Sequence, residues 1–239
     1  GKTLPSPHAY LSVAEALRHA GYAQGAEVEI RWIDSAEVTS ETAEALLGGC
    51  DGILVPGGFG PRGIEGMILA ARYARERGIP YLGLCLGMQI AVIEFARHVC
   101  RWSDADSGEF NPESTHKVID FLPDQSENVD KGGTLRLGAY PCRIVPGTLM
   151  EKCYGKALIS ERHRHRYEFA NEFRGALAAV GLTLSGLSPD GTIVETVEVA
   201  GHPFYLGVQF HPEFKSRPNK PHPLFLGFIE AALRRRAGE

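Results

Sequence analysis

Paired cysteines are missing. The five cysteines among 239 residues are odd in number and widely spaced, with no C-x-x-C pair, so neither a disulfide framework nor a zinc site is indicated. Long apolar runs are missing too. The longest, over residues 81–96, is short for a membrane span and is interrupted by Gln89 and Glu94. No charged-then-apolar leader opens the sequence, and a reducing cytoplasm is the expected home. Excess charge of one sign is also lacking: the net charge of −4 suggests no nucleic-acid surface. The one basic run, Arg234-Arg235-Arg236, falls where a last helical turn carries solvated cations. No repeat, linker or low-complexity tract occurs. A phosphate-binding loop of the form G-x-x-x-x-G-K-S/T is absent, and Gly1-Lys2-Thr3 holds only its end.

What is present has room for a substantial core in one large α/β domain or two small ones, and we expect a single domain over residues 1–239. Apolar spacing predicts a helix over 9–22, a strand over 28–33, a short helix over 39–47, a strand over 52–55 and a helix over 64–77. That rhythm argues for a parallel sheet with helices on both faces. Such a sheet normally opens on a strand before the first helix, yet only residues 1–5 precede the helix here, and the expected strand falls outside the sequence. Residues 102–133 read as a long loop broken only by Val118-Ile119-Asp120-Phe121. Strands follow over 135–137, 143–145, 157–160, 183–187, 192–199 and 204–210, with Pro189-Asp190-Gly191 as a hairpin turn, and a helix closes the chain over 222–236. The fold expected is α/β: an open, mostly parallel central sheet flanked by helices, with additional antiparallel strands in the second half.

The chemistry starts at Gly83-Leu84-Cys85-Leu86-Gly87, where an apolar strand runs into a helix through a cysteine flanked by glycines. This is the cysteine counterpart of the G-x-S-x-G nucleophile elbow. The glycines permit a turn too tight for Cβ atoms, and the positive end of the following helix favours thiolate over thiol. Cys50, Cys100, Cys142 and Cys153 have no such setting and read as structural. A second centre is His211-Pro212-Glu213, after the apolar strand 205–210. In extended backbone, residues two apart share a side, so Glu213 can take the Nδ1 proton of His211 and leave Nε2 for a nucleophile. Arg162, Arg164 and Arg166 share one face of an extended segment, with His163 and His165 on the other, as packed imidazoles. Spacing alone does not choose among the three arginines.

Three stretches, Val55-Pro56-Gly57-Gly58-Phe59-Gly60, Gly83 to Gln89 and Val208 to Glu213, resemble in matching order the signatures of the class I (triad) glutamine amidotransferases. Ser107-Gly108-Glu109-Phe110, Gly132 to Gly138, Glu161 to Glu168 and Phe214 to Pro221 narrow the resemblance to the glutaminase domains of the CTP synthase family. The resemblance implies hydrolysis of L-glutamine through a thioester on Cys85, with His211 as base and then acid and Glu213 orienting it. It implies an oxyanion hole from the N–H groups of Gly58 and Leu86, and glutamine binding by Gly58, Leu86, Gln89, Glu109 and Arg166, with no metal. It further implies an amino-terminal synthetase domain, not supplied here, that uses ATP, Mg2+ and UTP, with GTP as activator; the place of Phe59-Gly60-Pro61-Arg62 beside the expected oxyanion loop makes it the expected site of that coupling. The full-length family assembles as a homotetramer chiefly through that domain, so a monomer is expected for this chain. The glutaminase of another amidotransferase such as GMP synthetase, a γ-glutamyl hydrolase, and a catalytically silent regulator stay open as alternatives.

Overall fold

The computed structural model describes residues 10–121 and 136–238. The expectations that fall on residues 1–9 and 122–135, including Gly132 to Leu135, lie outside the described residues. Three parallel strands form the part of the fold that matters for chemistry: β1 (Ile53–Val55), β2 (Tyr81–Leu84) and a strand from late in the chain, Tyr205–Val208. Each is three or four apolar residues long and runs straight into a turn. The last lies in register beside β2, with Tyr205 opposite Tyr81 and Val208 opposite Leu84. Side chains alternate across these strands. Tyr81 and Tyr205 stack at 4.5 Å in one core, while Leu82, Leu84, Leu206 and Val208 enter the core on the other face.

Helices cover both faces. α1 (Leu11–Ala23) comes first, and α2 (Ala43–Leu47) follows. α3 (Ile64–Arg77), stopped by the left-handed Gly78, packs with α4 (Leu86–His98) on the tyrosine face. α4 is buried from Leu86 through Ala96, and its Glu94 is neutralised by Arg75 of α3 at 2.8 Å. A helix so enclosed sits between layers, not at a surface.

The region expected to be a long loop holds a small sheet: β3 (Asp106–Ser107) pairs in parallel with β4 (Lys117–Asp120). β5 (Arg136–Ile144) merges two predicted strands and pairs antiparallel with β6 (Leu158–His165), the two being separated by α5 (Leu149–Tyr154). β7 (Glu168–Phe169) joins β4, and α6 (Arg174–Ala179) leads to β8 (Leu182–Leu187) and β9 (Val194–Val199). β10 is Tyr205–Val208, and α7 (Pro223–Ala237) closes the described chain against α1 and α5. The main sheet has the order β1-β2-β10-β9-β8-β5-β6. The expected antiparallel strands therefore extend the same sheet, within which parallel pairing is held to β1, β2 and β10.

One predicted strand does not form. Residues 28–33 are in no ladder, although Val28 and Ile30 pack on the α1–α7 core and Ile33 on the opposite one. Apolar alternation supplies a buried face, but a strand also needs a neighbour to hydrogen-bond, and no described strand runs alongside.

Candidate active site

All three parallel strands deliver their carboxyl ends to one edge of the sheet, where ligands gather in α/β folds. β1 ends in the Pro56 to Gly63 loop, β2 in Cys85, and β10 in the segment that carries His211. At Cys85 the backbone has φ 51° and ψ −102°, and its N–H is bonded to the Val208 carbonyl at 2.8 Å. A non-glycine residue in this region costs roughly 1–3 kcal/mol, and the packing around it explains how the bend is held. A Cβ on Gly83 would stand 2.4 Å from the Gly87 carbonyl oxygen, and one on Gly87 would stand 2.1 Å from that of Val55. Only glycine at both positions lets α4 begin immediately against the sheet. α4 begins at Leu86, directly after Cys85, so the helix's first N–H groups follow the cysteine without intrahelical partners.

The imidazole comes from the neighbouring strand. Nδ1 of His211 donates to Oε1 of Glu213 at 2.8 Å, and the other carboxylate oxygen is buried without a hydrogen-bond partner among the described residues. The pairing is the expected one, but it arises differently. β10 ends at Val208, and Pro212–Lys215 is a 3-10 turn that folds Glu213 back under His211. Proline at the start of that turn, with φ fixed near the helical value, favours the bend over an extended continuation. Burial opposes charge on the ring, yet hydrogen bonding and charge from Cys85 and Glu213 outweigh it and lift His211 to about 10. The ring is therefore an imidazolium near neutrality, facing the sulfur. Gly57 makes room for both, since a Cβ there would lie 2.8 Å from His211 Cε1 and 3.4 Å from Cys85 Cβ.

Above Cys85 opens a cleft of about 390 Å³, lined by Gly58, Phe59, Cys85, Gln89, Glu109, Arg164, His165, Arg166 and Tyr167. Gly58, Gln89, Glu109 and Arg166 are thus brought to Cys85, and Leu86 follows it in sequence. Glu109 reaches across to accept the Gly60 N–H at 3.1 Å, tying the small sheet to the glycine loop. Along β6, burial alternates residue by residue. His163 and His165 point inward, with Nδ1 of the first 2.9 Å from Nε2 of the second, and the arginines face out. Burial, then the Arg136 charge, depresses these imidazoles to about 2 and about 3, so both are neutral. Arg164 and Arg166 reach the cleft, while Arg162 does not line it. Arg62 turns to Asp34 at 2.7 Å. Burial pushes the thiols of Cys142 and Cys153 up to about 12, which keeps them protonated and unreactive.

A cysteine elbow, an imidazole–carboxylate pair and a cleft edged by an acid and two arginines agree with the family model described as glutamine amidotransferase class-I, which matches residues 7–231. The chain belongs to the class-I glutamine amidotransferase family. CTP synthase of Pelotomaculum thermopropionicum is 61% identical over 232 residues, covering 97% of this chain and 43% of that protein. CTP synthase of Moorella thermoacetica is 60% identical over 238 residues, covering all of this chain and 44% of that protein. The amidotransferase chain thus spans less than half the length of these relatives. The solved glutaminase domain of Trypanosoma brucei CTPS with bound acivicin is 42% identical, with TM-score 0.91 over 98% of this chain and 92% of that one.

Two parts of this amidotransferase site have no role assigned from the sequence: Arg164 is one of three arginines that spacing does not separate, and Gln209 carries no expectation. Arg164 lines the cleft beside Arg166, and Gln209 lies completely buried against Cys85. Gln209 stands two residues before His211, a spacing that places both near the same sheet edge. A polar residue inside an otherwise apolar strand was the available signal.

Proposed function

We propose that this chain hydrolyses L-glutamine to glutamate and ammonia, a reading carried by the position of Cys85 on its elbow facing the His211–Glu213 pair. The Cys85 thiolate attacks the side-chain amide carbon, and the N–H groups of Gly58 and Leu86 receive the oxyanion. His211 passes its proton to the leaving nitrogen, which departs as ammonia and leaves a γ-glutamyl thioester. The neutral ring then takes a proton from water, whose oxygen attacks the thioester. Collapse of that second oxyanion frees glutamate and restores the thiolate–imidazolium pair. Glu213 holds the ring's tautomer and supports its charge throughout. At the far end of the substrate, Glu109 receives the α-ammonium and Arg166 the α-carboxylate, with Gln89 along the wall between them.

Purified chain incubated with glutamine should release glutamate and ammonia in equal amounts, and a thiol-directed glutamine analogue should label Cys85. The absence of both turnover and labelling would end the proposal. For the longer protein we propose the CTP synthase reaction, with ammonia passing to a synthetase domain of the same polypeptide that aminates UTP at the expense of ATP, with Mg2+ as cofactor and under GTP activation. This chain has no G-x-x-x-x-G-K-S/T loop to hold those phosphates, so no step here is routed through them. A cytoplasmic homotetramer is proposed for the full-length enzyme and a monomer for this domain. No described helix is long and apolar enough to cross a membrane.

Two outcomes test the assignments. Gly57→Ala drives a methyl against the His211 ring, and a displacement of about 1 Å in a catalytic group costs on the order of 100-fold. The expected result is a kcat lowered by about that factor, with an unchanged circular dichroism spectrum. Arg166→Met removes one charge-assisted bond to substrate, worth about 1.5–3 kcal/mol. KM for glutamine should rise about 10–100-fold while kcat moves less; an unchanged KM would transfer the role to Arg164.

A further inference from the structure

The amide of Gln209 is fully buried in the second layer of the site, and the mechanism above does not use it. Its Nε2 lies 3.7 Å from Cys85 Sγ, within reach for a hydrogen bond to sulfur. Its Oε1 lies 3.3 Å from Nε2 of Gln89, and that same Gln89 nitrogen lies 3.2 Å from the Tyr167 carbonyl oxygen. Register puts it there: β10 runs beside β2 with Val208 opposite Leu84, so the next residue on each strand is Gln209 beside Cys85.

These contacts fix which way both amides face. A backbone carbonyl only accepts, so Gln89 must present its NH2 group to Tyr167. The second hydrogen of that NH2 then points to Gln209, which must answer with oxygen. Gln209 is left with its own NH2 toward the sulfur and cannot turn over without placing two donors or two acceptors face to face. Donation to sulfur favours thiolate over thiol, because the charged form is the better acceptor. It also restrains Sγ from a second side, while His211 approaches from the Glu213 turn.

Resting on the glutaminase reading, we propose that Gln209 is a positioning residue that holds the Cys85 sulfur as thiolate through an N–H donor oriented by Gln89 and the Tyr167 carbonyl. The relay's middle member, Gln89, lines the cleft, so the sulfur's support is continuous with the wall that substrate touches.

The test reads sulfur ionisation without any turnover. The rate of Cys85 alkylation by iodoacetamide is followed against pH in the intact protein, with the modified peptide located by mass spectrometry. Gln209→Met keeps length and removes the donor; Gln209→Glu puts a carboxylate in its place. The titratable groups around the sulfur stay in both variants: His211 and Glu213 from the β10 end, Glu109 after β3, and Arg164, His165 and Arg166 from β6 and its turn. The midpoint of the alkylation curve should move up by about one pH unit in Gln209→Met and further in Gln209→Glu. If neither folds, Gln89→Met frees the Gln209 amide to rotate, and the midpoint should move in the same direction by less. An unchanged midpoint in every folded variant overturns the proposal. Absence of glutamate release by the unaltered protein would instead count against the glutaminase reading, whatever the alkylation curves show.

Discussion

Cys85→Ala should lower glutamine hydrolysis by at least about 10⁴-fold while leaving the protein folded, because removal of a nucleophile from a preassembled constellation abolishes nearly all that the group does together. Cleft, oxyanion donors and arginines persist, so glutamine should still bind. Labelling by a thiol-directed glutamine analogue should vanish, even though Cys50, Cys100, Cys142 and Cys153 remain as free thiols. The same substitution should alter His211. That ring stands at about 10, up from an ordinary 6.5, against the opposing effect of burial, and Cys85 supplies part of the lift. Without the sulfur, the ring should titrate at lower pH, as followed by proton NMR of the imidazole. A group whose pKa is raised on folding adds stability that is full below its unfolded value and lost as pH rises through its folded value. The His211 contribution is therefore present below about 6.5 and fades toward about 10, and Cys85→Ala should move the upper end of that window downward. Retained hydrolysis, or an unmoved imidazole, would show that sulfur and ring do not work as a pair.

The elbow was legible because its demands are local: a strand, two glycines and a helix within a few residues leave one outcome for the side chain between them. His211 and Glu213 were legible as a pair for the same reason, although the turn that joins them is a 3-10 bend and not an extension. What escaped depends on distant partners. β6 alternates strictly in burial, yet its buried side includes Glu161, His163 and His165, so hydropathy shows polar residues on both faces and only its first residues look like a strand. β5 is one strand over nine residues, split in the sequence by Gly138 and Pro141. β3 is two residues long and meets β4 through a register shift, a geometry with no periodicity to detect. Residues 28–33 show the converse, an alternating pattern without a described neighbour to complete it. Gln209 becomes visible, and Arg164 is set apart from Arg162, only when strands far apart in sequence are brought to one edge.

Arg136→Met should cost about 3–5 kcal/mol of folding stability, the usual penalty for leaving a buried charge without its partner. Arg136 opens β5 opposite His165 and carries the only guanidinium in contact with two buried carboxylates among the described residues. Its Nη2 donates to Glu195 Oε1 at 2.8 Å, and its Nη1 donates to Glu195 Oε2 at 3.2 Å and Glu168 Oε1 at 3.1 Å. The neutral imidazoles of His163 and His165 lie alongside and cannot substitute as cations. Desolvation of Glu168 outweighs the attraction of Arg136 and, with the nearby Glu195, lifts its carboxyl to about 8. Folding therefore favours the protonated acid, and stability should fall as pH rises from about 4.5 through about 8. Arg136→Met should steepen that fall, since nothing then offsets either charge. Adding Glu168→Gln and Glu195→Gln should return most of the loss, because a neutral hydrogen-bonded cluster carries no uncompensated charge. Denaturant midpoints at several pH values would measure each step. A single variant as stable as the parent at pH 8 would mean that the guanidinium does not balance these acids, and the β5–β6 wall behind the cleft would then owe its position to packing alone.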